Sequence, residues 1–263
     1  MAVTDLQKRI MQRLAGNRSE TSYLAGGLVL NRDWSRQSDD IDIFHDRDED
    51  VAEVARKDMA DLEADGFHVH LDVKAFGTYE ATVSDESAST VIQWMSDTRI
   101  RFFPLVKDEQ WGLRLHQADL AVNKILAAAS RRKARDFVDL VTIATDMCPL
   151  GPLIMAASGK PPNYSPQKIV EQIRWHAQSI SEAEYTAVKG VPADWTPEFI
   201  RSEATRLSDL AEAYILQAPI AIVGVLAVNG SGLPVEVAKE TIGAATLRRA
   251  TEEPDVMPSM MER

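Results

Sequence analysis

Residues 23–44 read YLAGGLVLNRDWSRQSDDIDIF, and the fold turns on them. A short apolar strand runs into Gly26-Gly27. Thirteen residues later a second strand begins with Asp40-Ile41-Asp42-Ile43-Phe44. Strand residues alternate faces, so Asp40 and Asp42 project from one side, about 6–7 Å apart at Cα by strand rise. Ile41 and Ile43 point the other way, into a core. Two carboxylates on one face, near a glycine pair that lets phosphate oxygens approach the backbone, suit a divalent metal and a triphosphate.

The order and spacing of these residues, with Ser38 just before the acidic pair, resemble the first motif of the nucleotidyltransferase superfamily. Its pattern is an apolar residue, Gly-[Gly/Ser], a gap of about ten residues, then Asp-x-[Asp/Glu] with apolar spacers. The resemblance implies that Gly26, Gly27 and Ser38 hold the nucleotide's phosphates. It also implies that Asp40 and Asp42 bind Mg2+ or Mn2+.

Residues 116–143 read HQADLAVNKILAAASRRKARDFVDLVTI. Leu120, Ile125, Leu126, Phe137, Leu140 and Val141 recur at helical spacing, which predicts two helices or one bent one. Lys124 precedes the pair Arg135-Asp136, and Asp139 follows one helical turn on. The run D-L-A-x-x-K-x-x-A followed by R-D-x-x-D-L is similar to the AbiEii-type nucleotidyltransferase toxins of bacterial toxin–antitoxin and phage-defence systems. The two motifs and the strands between them cover about residues 20–145. The resemblance implies that Lys124 and Arg135 meet the nucleotide. It implies an NTP as substrate, an RNA acceptor with the 3′ end of a tRNA as the expected one, and a cognate antitoxin as partner.

The proton acceptor for the attacking hydroxyl is open at this point. Many nucleotidyltransferases carry a third carboxylate on a later strand. The equivalent strand here is Thr90–Met95, and its candidate position is Gln93, which takes no proton at neutral pH. Asp72, on an alternating strand with His68, His70 and Lys74, is another candidate. The toxin family uses an acidic residue in the R-D-x-x-D segment. Asp136 is therefore the expected base, with Asp139 second.

Composition sets bounds. The chain has 263 residues, a net charge of -11 and one cysteine, with pI near 5.0. An acidic total argues against a general nucleic-acid coating protein. Arg131, Arg132, Lys133 and Arg135 form the one dense basic cluster, and the first three are expected to contact RNA; Arg99, Arg101 and Lys107 would extend it. A single cysteine, Cys148, excludes an intrachain disulfide framework and a cysteine zinc site. The N-terminus lacks a charged leader followed by an apolar run, and the apolar stretch 213–228 is too short and interrupted to span a membrane. A cytoplasmic protein without a membrane partner is the expectation.

The predicted fold class is α+β: a mixed sheet of the nucleotidyltransferase type with packed helices, then a mainly helical C-terminal domain. Thr4 and Gln7 read as a capping box for a first helix. A helix is predicted over about 49–64, strands over 67–76, 78–84, 90–95 and 99–106, and helices over 117–130 and 133–146. Prolines and glycines in 149–164 mark a boundary between a catalytic domain, 1–148, and a helical domain, 149–263. Ser165-Pro166 and Thr196-Pro197 read as helix starts. Residues 220–228 and 233–237 read as a hairpin, and the tail from about 251 as mobile.

Three functions compete on the sequence. The leading one is the nucleotidyltransferase toxin. The second is a small-molecule nucleotidyltransferase of the antibiotic-modifying kind, which shares the glycine and acidic motif. The third is a degenerate member that binds nucleotide or a partner without turnover, an idea that Gln93 supports.

Overall fold

The computed structural model describes residues 3–253. The chain divides into two compact units. The first takes the residues up to 99 together with 104–116; the second takes 100–103 and the chain from 117 onward. The expected boundary near residue 148 falls inside the second unit, between its second and third helices.

The first unit opens with α1 (Asp5–Leu14). Its capping box is formed: Thr4 Oγ1 accepts the Gln7 N–H, and the Gln7 side chain accepts the Thr4 N–H. Then follow β1 (Ser22–Ala25), α2 (Gly26–Leu30), β2 (Asp40–His45), α3 (Asp48–Ala64), β3 (His68–Ala75), β4 (Thr78–Ser84), β5 (Ser89–Ser96), β6 (Val106–Asp108) and β7 (Gly112–Arg114). The seven strands lie in the order β3-β4-β5-β2-β1-β7-β6. Pairs β2–β5 and β1–β7 are parallel, and the others are antiparallel. The mixed sheet follows from the connections: β4 and β5 extend a meander from β3, whereas α3 lies in the long crossover that brings β5 parallel to β2.

Alternation sets the core. Ile41 and Ile43 of β2, Tyr79, Ala81 and Val83 of β4, and Ile92 and Trp94 of β5 are buried on one face, with Val51, Ala55 and Leu62 of α3. Asp58 of α3 is fully buried within this layer. Its carboxylate accepts from Arg18 Nη2 at 2.5 Å, Trp94 Nε1 at 2.7 Å and Asn17 Nδ2 at 2.8 Å. A buried carboxylate is tolerable because three donors, one of them cationic, replace its water. His45, at the end of β2, is buried too, and neither ring nitrogen has a hydrogen-bond partner among the described residues. Burial, reinforced by the Arg18 charge, lowers its pKa to about 4.

The strand expected over 99–106 does not form; Val106–Asp108 pairs with β7, and Arg101 makes a single antiparallel bridge to Thr251. The backbone donors of the missing strand are spent elsewhere. Phe102 and Phe103 donate their N–H groups to the two oxygens of Asp119, at 2.9 and 3.0 Å, and Pro104 has no N–H to give.

In the second unit α4 (Gln117–Ser130) and α5 (Ala134–Asp146) match their sequence pattern closely. They are followed by α6 (Leu150–Ala157), α7 (Pro166–Ser179), α8 (Glu182–Thr186) and α9 (Pro197–Gln217). Helix α6 occupies a stretch expected to be irregular. Its Pro152 sits in the first turn, where the missing N–H would have had no intrahelical acceptor. Ser165 and Thr196 cap α7 and α9 as their sequences predict. The expected hairpin is altered. Strand β8 (Val225–Val228) pairs instead with β9 (Thr246–Arg249), and residues 233–237 contribute a single bridge, Val228 to Pro234. The portion of the tail beyond residue 253 lies outside the described residues.

Candidate active site

The glycine pair ends β1 and begins α2, a helix of one turn. Gly26 has φ +71, the left-handed region that a side chain disfavours. A Cβ on it would lie 1.6 Å from Asp42 Oδ2. The second acidic residue therefore stands directly against the turn, where the antiparallel register sets Ala25 opposite Asp42. Above Gly27 a Cβ would meet Arg36 Nη2 at 2.5 Å and Ser38 Oγ at 3.4 Å. Ser38 Oγ donates to Asp40 Oδ1 at 2.6 Å. Arg36, Ser38 and Asp40 are all buried. A cation, a hydroxyl and two carboxylates thus converge on one backbone turn. Ser38, expected to meet the nucleotide, is engaged in orienting Asp40.

Support for this loop comes from α1. Gln7 Nε2 donates to the Ser38 carbonyl at 2.8 Å and to Thr90 Oγ1 at 3.2 Å, and Thr90 Oγ1 donates to the Asp39 carbonyl at 2.9 Å. The residue that closes the helix cap also fixes the entry to the acidic strand. Arg36 and Gln7 escaped the sequence reading. Arg36 had no periodic signal, because Gln37 and Asp39 on either side of Ser38 are polar too and β2 begins only at Asp40. Gln7 had none beyond its cap, because its second bond spans 31 residues.

Across the sheet, Asp42 is level with Gln93 of β5, and Gln93 with Glu80 of β4. Gln93 Nε2 donates to Glu80 Oε2 at 2.7 Å. The position expected to hold a third carboxylate is thus an amide with a carboxylate one strand beyond it. Asp72, the other candidate, accepts from Thr82 Oγ1 at 2.7 Å on the outer strand β3, where His68 and His70 are exposed.

The second motif forms a separate cluster within the second unit. Lys124 Nζ lies 2.9 Å from Asp136 Oδ1 and 2.8 Å from Asp139 Oδ2. Both carboxylates are fully buried and Lys124 nearly so. Arg131 adds two bonds to Asp136, Nε to Oδ2 at 2.8 Å and Nη2 to Oδ1 at 3.2 Å. The spacing explains the convergence: Asp136 and Asp139 are one turn apart on α5, so both reach the lysine from one face. Burial raises the Asp136 pKa, and the charges and hydrogen bonds of Lys124 and Arg131 outweigh it, leaving it at about 2.

The basic run is accordingly divided. Arg131 is bound to Asp136, while Arg132 and Lys133 are exposed in the α4–α5 loop. The hydrogen bonds of Ser181 lower the pKa of Glu184, and the charges of Arg132 and Lys133 add to the effect. Arg135 is half-buried on α5. Cys148 is a buried thiol, as its apolar context predicts.

Among the described residues no group of three or more histidines, cysteines and carboxylates forms a protein cage for a metal. Asp40 and Asp42 do offer hard oxygen donors on one strand face, and Gly26 leaves the space that Asp42 occupies. That donor set fits Mg2+ or Mn2+, since Mg2+ is commonly held by one or two carboxylates and completed by substrate phosphates. No described helix is long and apolar enough to cross a membrane.

No family model matches the chain, and no curated protein does. Solved structures do. MenT4, a nucleotidyltransferase toxin from Mycobacterium tuberculosis, is 15% identical over a match covering 78% of this chain and 82% of that one, with a TM-score of 0.53. JHP933 from Helicobacter pylori is 15% identical, covering 80% and 90%, with a TM-score of 0.47. The likeness to MenT4 shows a common fold: the mixed α/β architecture expected from sequence is the nucleotidyltransferase fold.

Proposed function

We propose that this chain is a metal-dependent nucleotidyltransferase that moves NMP from an NTP to a hydroxyl of RNA, and that it acts as the toxin of a toxin–antitoxin or phage-defence system. The observation that carries the reading is Asp42 seated against Gly26, a glycine held at φ +71 so that carboxylate and turn can share one point. The fold in common with a nucleotidyltransferase toxin supports it.

In this reading the Gly26-Gly27 turn takes the triphosphate, with the Arg36 guanidinium beside it. Asp40, oriented by Ser38, and Asp42, placed by Gly26, hold Mg2+ or Mn2+, which when bound neutralises phosphate charge. Lys124 is a phosphate contact whose position is fixed by Asp136 and Asp139. We reassign those two residues. A carboxyl lowered to about 2 and held by Lys124 and Arg131 is a poor proton acceptor. Asp136 therefore serves as an anchor rather than as the base anticipated from the motif, and Asp139, buried with its carboxylate 2.8 Å from Lys124 Nζ, anchors the same lysine. Arg132 and Lys133 are the RNA-facing cations, with the 3′ end of tRNA as the acceptor, and Arg135 is a nucleotide contact. A cognate antitoxin is the expected protein partner.

The test is incubation of the purified chain with each labelled NTP, Mg2+ and total tRNA. Label on RNA supports the reading. Label on a small acceptor would replace it with the small-molecule alternative. Nucleotide binding without transfer would make the chain a binder.

A further inference from the structure

A hydroxyl that attacks a phosphate must lose its proton, and the site described so far gives that proton no destination. Asp40 accepts the Ser38 hydroxyl, and Asp42 is seated against Gly26. Asp72 lies on the outer strand β3 and takes the Thr82 hydroxyl. Glu80 is different in place. It shares one row of the sheet with Asp42: Asp42 pairs with Gln93, and Gln93 with Glu80. Neighbours in a row point to the same face, so all three side chains rise from the side that carries the acids. Two strand spacings separate the Cα atoms of Asp42 and Glu80 by about 10 Å. The Glu80 side chain spans part of that distance, because its Oε2 accepts from Gln93 Nε2 at 2.7 Å. An ionised carboxylate can only accept, so the amide must turn its nitrogen to Glu80. Gln93 thereby pins one oxygen of the carboxylate and leaves Oε1 as the atom to receive a proton.

We infer that Glu80 is the proton acceptor of the transfer reaction and Gln93 the residue that positions it; the inference rests on the proposed transfer reading. In the step, an oxygen lone pair of the acceptor hydroxyl forms a bond to the α-phosphorus. The bond from that phosphorus to the bridging oxygen breaks, and pyrophosphate leaves with the electron pair. The hydroxyl proton passes to Glu80 Oε1 and from there to water. No further reactant is needed.

Charge and hydrogen bonding can be separated by substitution. In Glu80→Gln the new amide oxygen still accepts from Gln93, so the cross-strand bond survives and only the charge is lost. In the double variant Glu80→Gln/Gln93→Glu the bond is kept and the carboxylate moves one strand closer to Asp42. Transfer of label from NTP to RNA would be measured for both, with thermal unfolding and binding of a fluorescent NTP analogue alongside. For Glu80→Gln we expect kcat to fall by roughly 10²-fold, at the lower end of what a positioned base contributes, with KM for NTP, analogue binding and unfolding temperature unchanged. The double variant should recover at least about tenfold, a partial return of the same contribution. Glu80→Gln within twofold of wild type would reduce the pair to a cross-strand contact and overturn the inference. So would a loss that tracks a lowered unfolding temperature, or a double variant as slow as the single one. Failure of the underlying reading looks different: wild type transfers nothing, or Asp42→Asn transfers as well as wild type.

Discussion

Gly26 carries two constraints at once, a left-handed backbone and a carboxylate where its side chain would be. Gly27 carries a weaker one, since the atom over it is the end of a flexible arginine. The two glycines should therefore respond differently. Gly26→Ala should lower transfer by at least ~10²-fold, the cost expected when a reacting centre is displaced by about an ångström. Gly27→Ala should lose less, because it displaces the tip of Arg36 beside the phosphates but leaves Asp42 in place. Steady-state rates of the two variants decide it, and equal losses would contradict the geometry. The sequence made the pair of glycines and the two acids legible, because a turn and a period-two acidic strand are local patterns. Glu80 was not legible as part of the site: its tie to Gln93 depends on which strands become neighbours, and register is a tertiary fact.

Elements hold the site through a few buried polar hubs. Asp58 of α3 satisfies Arg18, Trp94 and Asn17 under the sheet. Asp58→Ala would leave the Arg18 guanidinium buried and unpaired, and should cost about 3–5 kcal/mol in denaturant unfolding. Lys124→Met would take the lysine away from the buried carboxylates of Asp136 and Asp139, leaving Arg131 on Asp136. A similar loss of about 3–5 kcal/mol is expected, so any fall in NTP use by that variant has to be read beside its stability. A Lys124→Met protein as stable as wild type would contradict the paired geometry. Helix periodicity and caps made α1, α3, α4, α5, α7 and α9 legible. The strand expected over 99–106 and the hairpin after residue 220 were not, because their backbone donors and acceptors found partners far along the chain. Asp119 takes the Phe102 and Phe103 N–H groups, and β9 takes β8.

Over the whole chain the charge is strongly negative, while the loop between α4 and α5 exposes Arg132 and Lys133. Replacing Arg131, Arg132 and Lys133 with alanine should weaken RNA binding. It should also lower the log–log salt slope by roughly 0.7 for each single-strand phosphate that is no longer neutralised. Arg131 contributes least to that change because Asp136 holds it, and an unchanged slope would assign the run to plain surface. Stability should also depend on pH through His45. The unfolded imidazole titrates near 6.5 and the folded one near 4. Between those values the unfolded chain binds the extra proton, so stability falls as pH drops through this window, by about 3 kcal/mol across it. His45→Leu should flatten that part of the profile in denaturant titrations, and an unchanged slope would place the loss on other groups. The central claim is that Asp40 and Asp42 beside the glycine turn transfer a nucleotide. Its most direct test is transfer of label from each NTP to RNA by wild type, Asp40→Asn and Asp42→Asn, with unfolding temperatures measured in parallel. The account predicts transfer by wild type and none by either variant, both folded as wild type; transfer at the wild-type rate by either variant would contradict it.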